Sequence, residues 1–106
     1  MFADKFFSTL GLAQRAGKIA SGEDAVLEAL RTSKAYLTII AGDASDRTKK
    51  MFRDKSRTYG VPMLVVSDRT LLGKALGKSE RVVLAVLDAG FADLLRRSGG
   101  DAVNKP

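Results

Sequence analysis

The sequence predicts an α/β protein, a three-layer α/β/α sandwich around a mixed central sheet. Three observations predict it. Residues 36–41, 61–66 and 82–87 are short runs, almost wholly apolar or β-branched, as expected for strands covered on both faces. Amphipathic helical patterns alternate with these runs, and strands separated by helices need helices on both sides of the sheet. The 106-residue length suits one domain with a core that needs no covalent staples.

Residues 2–16 predict the first helix. Phe2, Phe6, Phe7, Leu10 and Ala13 recur on one face, with Asp4, Ser8, Gly11 and Arg15 largely opposite. Gly17 stops it. Residues 18–21 are extended but short. A second helix covers 22–32, with Val26, Ala29 and Leu30 inward and Asp24, Glu28 and Arg31 outward. Tyr36 to Ala41 is the first strong strand. Asp43 or Ser45 caps a third helix over 46–58, with Thr48, Met51, Phe52 and Tyr59 as its apolar stripe and Lys49, Lys50, Arg53 and Arg57 opposite. Gly60 and Pro62 end that helix. Pro62 also begins the strand 61–66, where a missing donor is tolerated. Ser67 to Thr70 caps a short fourth helix with Leu72, Ala75 and Leu76 inward, and a polar loop over 77–81 precedes the strand 82–87. The last helix follows Asp88, with Phe91, Leu94 and Leu95 inside. The domain therefore spans 1–97, and the Gly-rich, polar residues 98–106 read as a flexible C-terminal tail.

Composition excludes several chemistries. The chain has no Cys and no His, which removes disulfides, thiolate or imidazole zinc sites, and Cys–His or Ser–His nucleophile pairs. No catalytic residue and no cofactor is expected, and no dinucleotide or Walker phosphate loop is present. Asp43, Asp68 and Asp88 each follow a strand, at the edge where open α/β sheets bind ligands. Three carboxylates there could hold a hard cation, but helix capping accounts for each one, and no metal is expected. The 18 Lys and Arg against 12 acids give a net charge of +6, which favours a polyanionic partner. No signal peptide or membrane-length apolar run is visible, so a cytoplasmic protein with no membrane partner is expected.

Two stretches could carry binding. In Lys18 to Asp24, a basic residue leads into Ser21-Gly22-Glu23-Asp24. This is either a capped helix start or a place where glycine leaves backbone N–H groups open to a ligand. In Leu72 to Arg81, Gly73 and Gly77 alternate with Lys74, Lys78 and Arg81. Glycines permit close approach of a phosphodiester chain and the cations neutralise phosphates, although an ordinary helix–strand connection looks the same. The basic face of the third helix reads as a solvated surface or a further ligand contact.

Lys18-Ile19-x-x-Gly22 resembles the Gly-Lys-Ile-Lys-Lys-Gly segment of the L-seven-Ae ribosomal protein family. The resemblance extends through Ala35 to Asp43, then Gly60-Val61-Pro62, then Leu72-Gly73-Lys74-Ala75-x-Gly77, and covers roughly residues 5–95. Ser21-Gly22-Glu23, Asp43-Ala44-Ser45 with Thr48-Lys49-Lys50, and Glu80-Arg81-Val82-Val83 are more similar to its bacterial YlxQ-type branch. The resemblance implies an α/β/α sandwich that binds structured RNA, typically a kink-turn, as a ribosome- or ribonucleoprotein-associated factor without enzymatic activity. It implies no DNA specificity, and a monomer is expected. The implied RNA-binding residues are Lys18, Ser21, Gly22, Glu23 and Asp24 in the first element and Lys74, Gly77, Lys78, Ser79 and Arg81 in and before the second. Lys18, Lys74, Lys78 and Arg81 would meet phosphates. Glu23 and Asp24 would accept from guanine edges.

The departures are specific. Asp24 stands where the family carries Asn, and an ionised carboxylate only accepts. Glu28 stands where the family carries Lys. Two like charges 5 Å apart repel by ~3 kcal/mol at an effective dielectric near 20. An altered RNA site follows, or alternatively a protein-interaction module of a ribonucleoprotein with weak or no kink-turn binding.

Overall fold

The computed structural model describes the backbone of residues 2–103 and the side-chain surroundings of residues 5–98. The chain runs α1 (Phe2–Arg15), β1 (Ile19–Ser21), α2 (Glu23–Arg31), β2 (Leu37–Ala41), α3 (Asp46–Thr58), β3 (Met63–Val66), α4 (Arg69–Ala75), β4 (Val83–Val86) and α5 (Ala89–Val103). Alternation of apolar strands with amphipathic helices thus yields the expected three-layer α/β fold. Helix α5 runs past Ser98, where the sequence suggests a tail, and residues 104–106 lie outside the described residues.

The sheet order is β1-β4-β2-β3. β2 and β3 are parallel, whereas β4 is antiparallel to both β1 and β2. The sheet is therefore mixed, and the C-terminal ends of β1, β2 and β3 share one edge with the start of β4.

Each face of the sheet has its own core. Phe6 and Leu10 of α1, Leu72 and Leu76 from α4 and its cap, and Leu95 of α5 pack on Leu37, Ile39, Leu64, Val66, Leu84 and Val86. On the other face Val26, Ala29 and Leu30 of α2 and Phe52 of α3 pack on Ile40, Val83 and Ala85. Each strand contributes alternate residues to the two clusters, as its pleat requires. β2 is buried along its whole length, which is why it reads as a continuous apolar run.

Some helix faces differ from their sequence pattern. Gly11, expected on the outer face of α1, is buried; a Cβ there would lie 3.2 Å from the Ala75 carbonyl oxygen, so this glycine lets α1 approach α4. On α3 the buried residues are Phe52 and Ser56, not the wider stripe with Tyr59, which is 40% exposed. Ser56 Oγ donates to the Thr38 hydroxyl at 2.9 Å beneath the helix. A polar pair in the core has no apolar signature, so periodicity misses it. Ser45, one of the two expected caps, is the N-cap, accepting from the Thr48 N–H at 3.1 Å.

Candidate nucleic-acid interface

Helix α2 opens without a side-chain cap. Its N-cap is Gly22 at φ 95 and ψ 157, a region almost reserved for glycine. The Gly22 N–H donates to the Val83 carbonyl at 3.0 Å, and the Gly22 carbonyl accepts from Val26. Gly22 thus joins β4 to the first turn of α2. The N–H groups of the next three residues point out of the helix end, as the first donors of any helix do. Glu23 and Asp24 both lie in this turn and are exposed. The alternative of a side-chain-capped helix start is therefore set aside.

The second lip is the loop leading into β4. Ser21, Gly22 and Glu23 line one side of a shallow depression of about 390 Å³, and Glu80, Arg81, Val82 and Val83 line the other. Arg81 ties the lips together. Its Nη1 donates to the Glu80 carbonyl at 2.8 Å and to Ser79 Oγ at 3.1 Å, while its Nε reaches Ser21 Oγ at 3.4 Å. Its backbone N–H donates to the Arg69 carbonyl at 3.1 Å. Arg69 is held in turn by Asp43. The Arg69 N–H donates to Asp43 Oδ1 at 3.1 Å, Nη2 donates to the Asp43 carbonyl at 2.8 Å, and Nε lies 3.3 Å from Oδ2. Asp43 and Arg69 thus position the loop that carries Arg81. Neither belongs to the implied set, and their 26-residue separation hides the pairing from the sequence.

The expected residues divide by place. Ser21, Gly22 and Glu23 come together with Arg81, and Ser79 joins them through the Arg81 guanidinium. Asp24 stands beside them on the first turn of α2. Lys74, Gly77 and Lys78 are exposed at and beyond the C-terminal end of α4, flanking the depression rather than lining it. Lys18 is at the far end of β1, where its carbonyl accepts from Leu87 N–H at 2.8 Å. At ~3.3 Å per strand residue it lies ~13 Å along the chain from Gly22. Gly77, at φ +70 with open space around it, is free for close approach. Gly73 is not: a Cβ there would fall 1.9 Å from the Ser79 carbonyl oxygen. Its role is to let α4 pack against the loop, not to admit a phosphodiester chain.

Glu28 forms an exposed ion pair with Arg31 on the same helix. The carboxylate that departs from the family pattern is thus partly offset within α2. The three strand-end aspartates do not converge. Because β4 runs antiparallel, Asp88 lies at the opposite sheet edge from Asp43 and Asp68. Asp68 caps α4 through Leu71 N–H at 2.9 Å, and Asp88 accepts from Phe91 N–H at 2.9 Å. Among the described residues no cluster of three or more acids is placed to hold a metal ion, and no helix is long and apolar enough to cross a membrane.

Comparison with known proteins agrees with this architecture. A family model described as ribosomal protein L7Ae/L30e/S12e/Gadd45 matches residues 4–96. The chain is 46% identical over 91 residues to the RNA-binding protein YlxQ of Bacillus subtilis (strain 168), covering 86% of this chain and 91% of the relative. It is 33% identical over 96 residues to the large ribosomal subunit protein eL30 of Euphorbia esula, covering 89% and 86%. Among solved structures, a protein of unknown function from Bacillus halodurans C superimposes with a TM-score of 0.89 at 42% identity, over 92% of this chain and 98% of that one. The 15.5kD RNA binding protein of Giardia lamblia shares the fold, with a TM-score of 0.77 at 20% identity over 93% and 85%. The family model spans both lips of the depression and every strand of the sheet, and the chain belongs to the ribosomal protein L7Ae/L30e/S12e/Gadd45 family.

Proposed function

We propose that the protein binds structured RNA, in a kink-turn or a related bend, through the depression between the start of α2 and the loop before β4. The observation that carries this reading is the uncapped α2 terminus at Gly22, tied by Arg81 to the facing loop. Open N–H groups at a helix N-terminus suit phosphate oxygens and base acceptors. The carboxylates of Glu23 and Asp24 can accept from the imino and amino groups of guanine, the donors that a sheared G·A pair or an unpaired guanine presents. Val82 offers an apolar contact for a base turned out of its stack. Lys74 and Lys78 would supply positive charge to a backbone leaving the depression. The names of the relatives, RNA-binding protein YlxQ and eL30, support an RNA partner within a ribonucleoprotein.

The test is affinity for protein-free RNA carrying a kink-turn. The comparison RNA has its G·A pairs replaced by Watson–Crick pairs. Binding to the first at least about tenfold tighter than to the second is expected, since one such contact set contributes 1–3 kcal/mol of discrimination. Equal binding of both RNAs rejects kink-turn recognition, and no binding of either rejects the RNA reading.

A further inference from the structure

The strand order leaves β3 at one margin of the sheet, with β1 and the candidate RNA surface toward the other. This free margin has three properties that fit a single kind of partner.

The first is its backbone. Thr38 N–H donates to the Pro62 carbonyl at 2.9 Å, and Gly42 N–H donates to the Val66 carbonyl at 3.3 Å. With Thr38 paired to Met63 and Ile40 to Val65, the parallel ladder turns the backbone groups of residues 62, 64 and 66 toward β2. Those of Met63 and Val65 point away from the sheet. None of the described hydrogen bonds uses them.

The second is the floor. Helix α3 seats on β2 and covers β3 only in part, leaving Met63 and Val65 half-buried. A groove of about 380 Å³ remains, lined by Arg53, Ser56, Arg57, Val61, Met63 and Val65. Leu64 and Val66 turn into the opposite core, whereas Met63 and Val65 are only half-buried along this groove. The third is charge. Arg53 and Arg57, one helical turn apart, form the wall and have no ion-pair partner among the described residues. Asp54, the intervening acid, is held by Lys50 at 3.0 Å.

We propose that this margin docks an extended acidic segment of a partner protein. The segment adds as a strand to β3, exchanging hydrogen bonds with Met63 and Val65. It rests an apolar side chain on Val61, Met63 and Val65 and sets its carboxylates against Arg53 and Arg57. A second copy of this chain fits less well, because pairing β3 with itself would bring two sets of arginines together. A nucleic-acid backbone offers nothing to the apolar floor, and phosphates cannot donate to the outward carbonyls; the ribose 2′-hydroxyls of RNA can, but without the alternating donors and acceptors that a strand presents to Met63 and Val65. The groove and the α2 depression lie at different parts of the molecule, so both can be occupied together.

The test uses the full chain, immobilised, and a displayed library of random peptides. Enriched peptides are expected to be acidic, with apolar residues at alternating positions. The strongest is synthesised and its affinity measured. Arg53→Glu with Arg57→Glu should weaken it by about tenfold or more; circular dichroism checks that this variant folds. Methylation of alternate peptide amides should abolish binding. Amide exchange should slow at Met63 and Val65 on binding and stay unchanged at Leu64 and Val66. The proposal is overturned by an absence of enrichment, by neutral or basic sequences, or by binding that survives either the double substitution or amide methylation. It is equally overturned if the double substitution removes RNA affinity, or a concentration-dependent self-association, while no peptide is captured.

Discussion

At Gly22 the backbone takes a conformation that a Cβ makes costly even though nothing crowds the position. Gly22→Ala should therefore destabilise the fold by about 1–3 kcal/mol, read by chemical denaturation, and lower RNA affinity by turning the first N–H groups of α2. Unchanged stability would mean that the turn is less constrained than φ 95 implies. Arg81 poses a different question, because its charge and its shape can be separated. Its guanidinium spans Ser79, Glu80 and Ser21, a span the compact ammonium of lysine cannot copy. Arg81→Lys should reduce RNA affinity about tenfold or more, the value of roughly one charge-assisted hydrogen bond, while leaving the salt dependence of binding nearly as it was. A changed slope with unchanged affinity at moderate salt would instead make Arg81 chiefly a phosphate contact. Lys18 stands four residues from Gly22 in the sequence, and the extended β1 between them sets the two at opposite ends of that strand.

The five helices and the strands β2, β3 and β4 are legible in the sequence because each has a local cause: apolar runs for the strands, 3.6-residue periodicity for the helices, and Gly17, Gly60 and Pro62 as punctuation; β1, only three residues long, shows as no more than a short extended piece. What was not legible depends on pairing over distance. The run 82–87 looks the same whether its strand is parallel or antiparallel, so nothing local separates Asp88 from Asp43 and Asp68. A glycine beside lysines fits either access for a ligand or an ordinary helix–strand connection, and the Ser79 carbonyl that fills the space at Gly73 appears only in three dimensions. The two origins lead to different expectations for Gly73 and Gly77. Gly73→Ala should destabilise by about 2 kcal/mol or more through overpacking and displace the loop that holds Arg81, so RNA affinity falls with stability. Gly77→Ala has open space and meets only the cost of φ +70, about 1 kcal/mol. Thermal unfolding of the pair distinguishes packing from access. The α3–β2 contact is tested the same way. Ser56→Ala leaves the buried Thr38 hydroxyl without its 2.9 Å partner and should cost about 1–3 kcal/mol, whereas Ser56→Ala with Thr38→Val should recover most of that loss. Failure of the second change to recover stability would show that the pair matters for packing rather than for hydrogen bonding.

Over the whole molecule, charge sets how RNA affinity responds to solution conditions. With no His and no Cys, no side chain with an ordinary pKa titrates between about pH 5.5 and 7. Asp54 and Asp93 move further out of that window, because hydrogen bonds from Lys50 and Arg97 hold their carboxyls below the usual range. With folded pKa values lowered, any stability these exposed pairs contribute is present above the unfolded carboxylate range and lost only as pH falls through the folded values. RNA affinity should accordingly be flat across that pH interval at fixed salt, and a step within it would point to titration of the RNA. Salt behaves differently. Four cations named from the sequence, Lys18, Lys74, Lys78 and Arg81, would give a log–log slope of about −3 at 0.7–0.9 per phosphate contact. The fold takes Lys18 to the far end of β1 and engages much of the Arg81 guanidinium within the protein. With Lys74 and Lys78 as full phosphate contacts of the proposed site and Arg81 as a partial one, the slope should lie near about −2. Lys18→Ala should leave that slope unchanged, whereas Lys74→Ala with Lys78→Ala should bring it close to zero. A slope that stays steep in the double variant but collapses in Arg53→Ala with Arg57→Ala would move the RNA path onto α3. It would also remove the separation between the nucleic-acid depression and the β3 margin, since one polyanion would then occupy both the arginine wall and the groove beneath it.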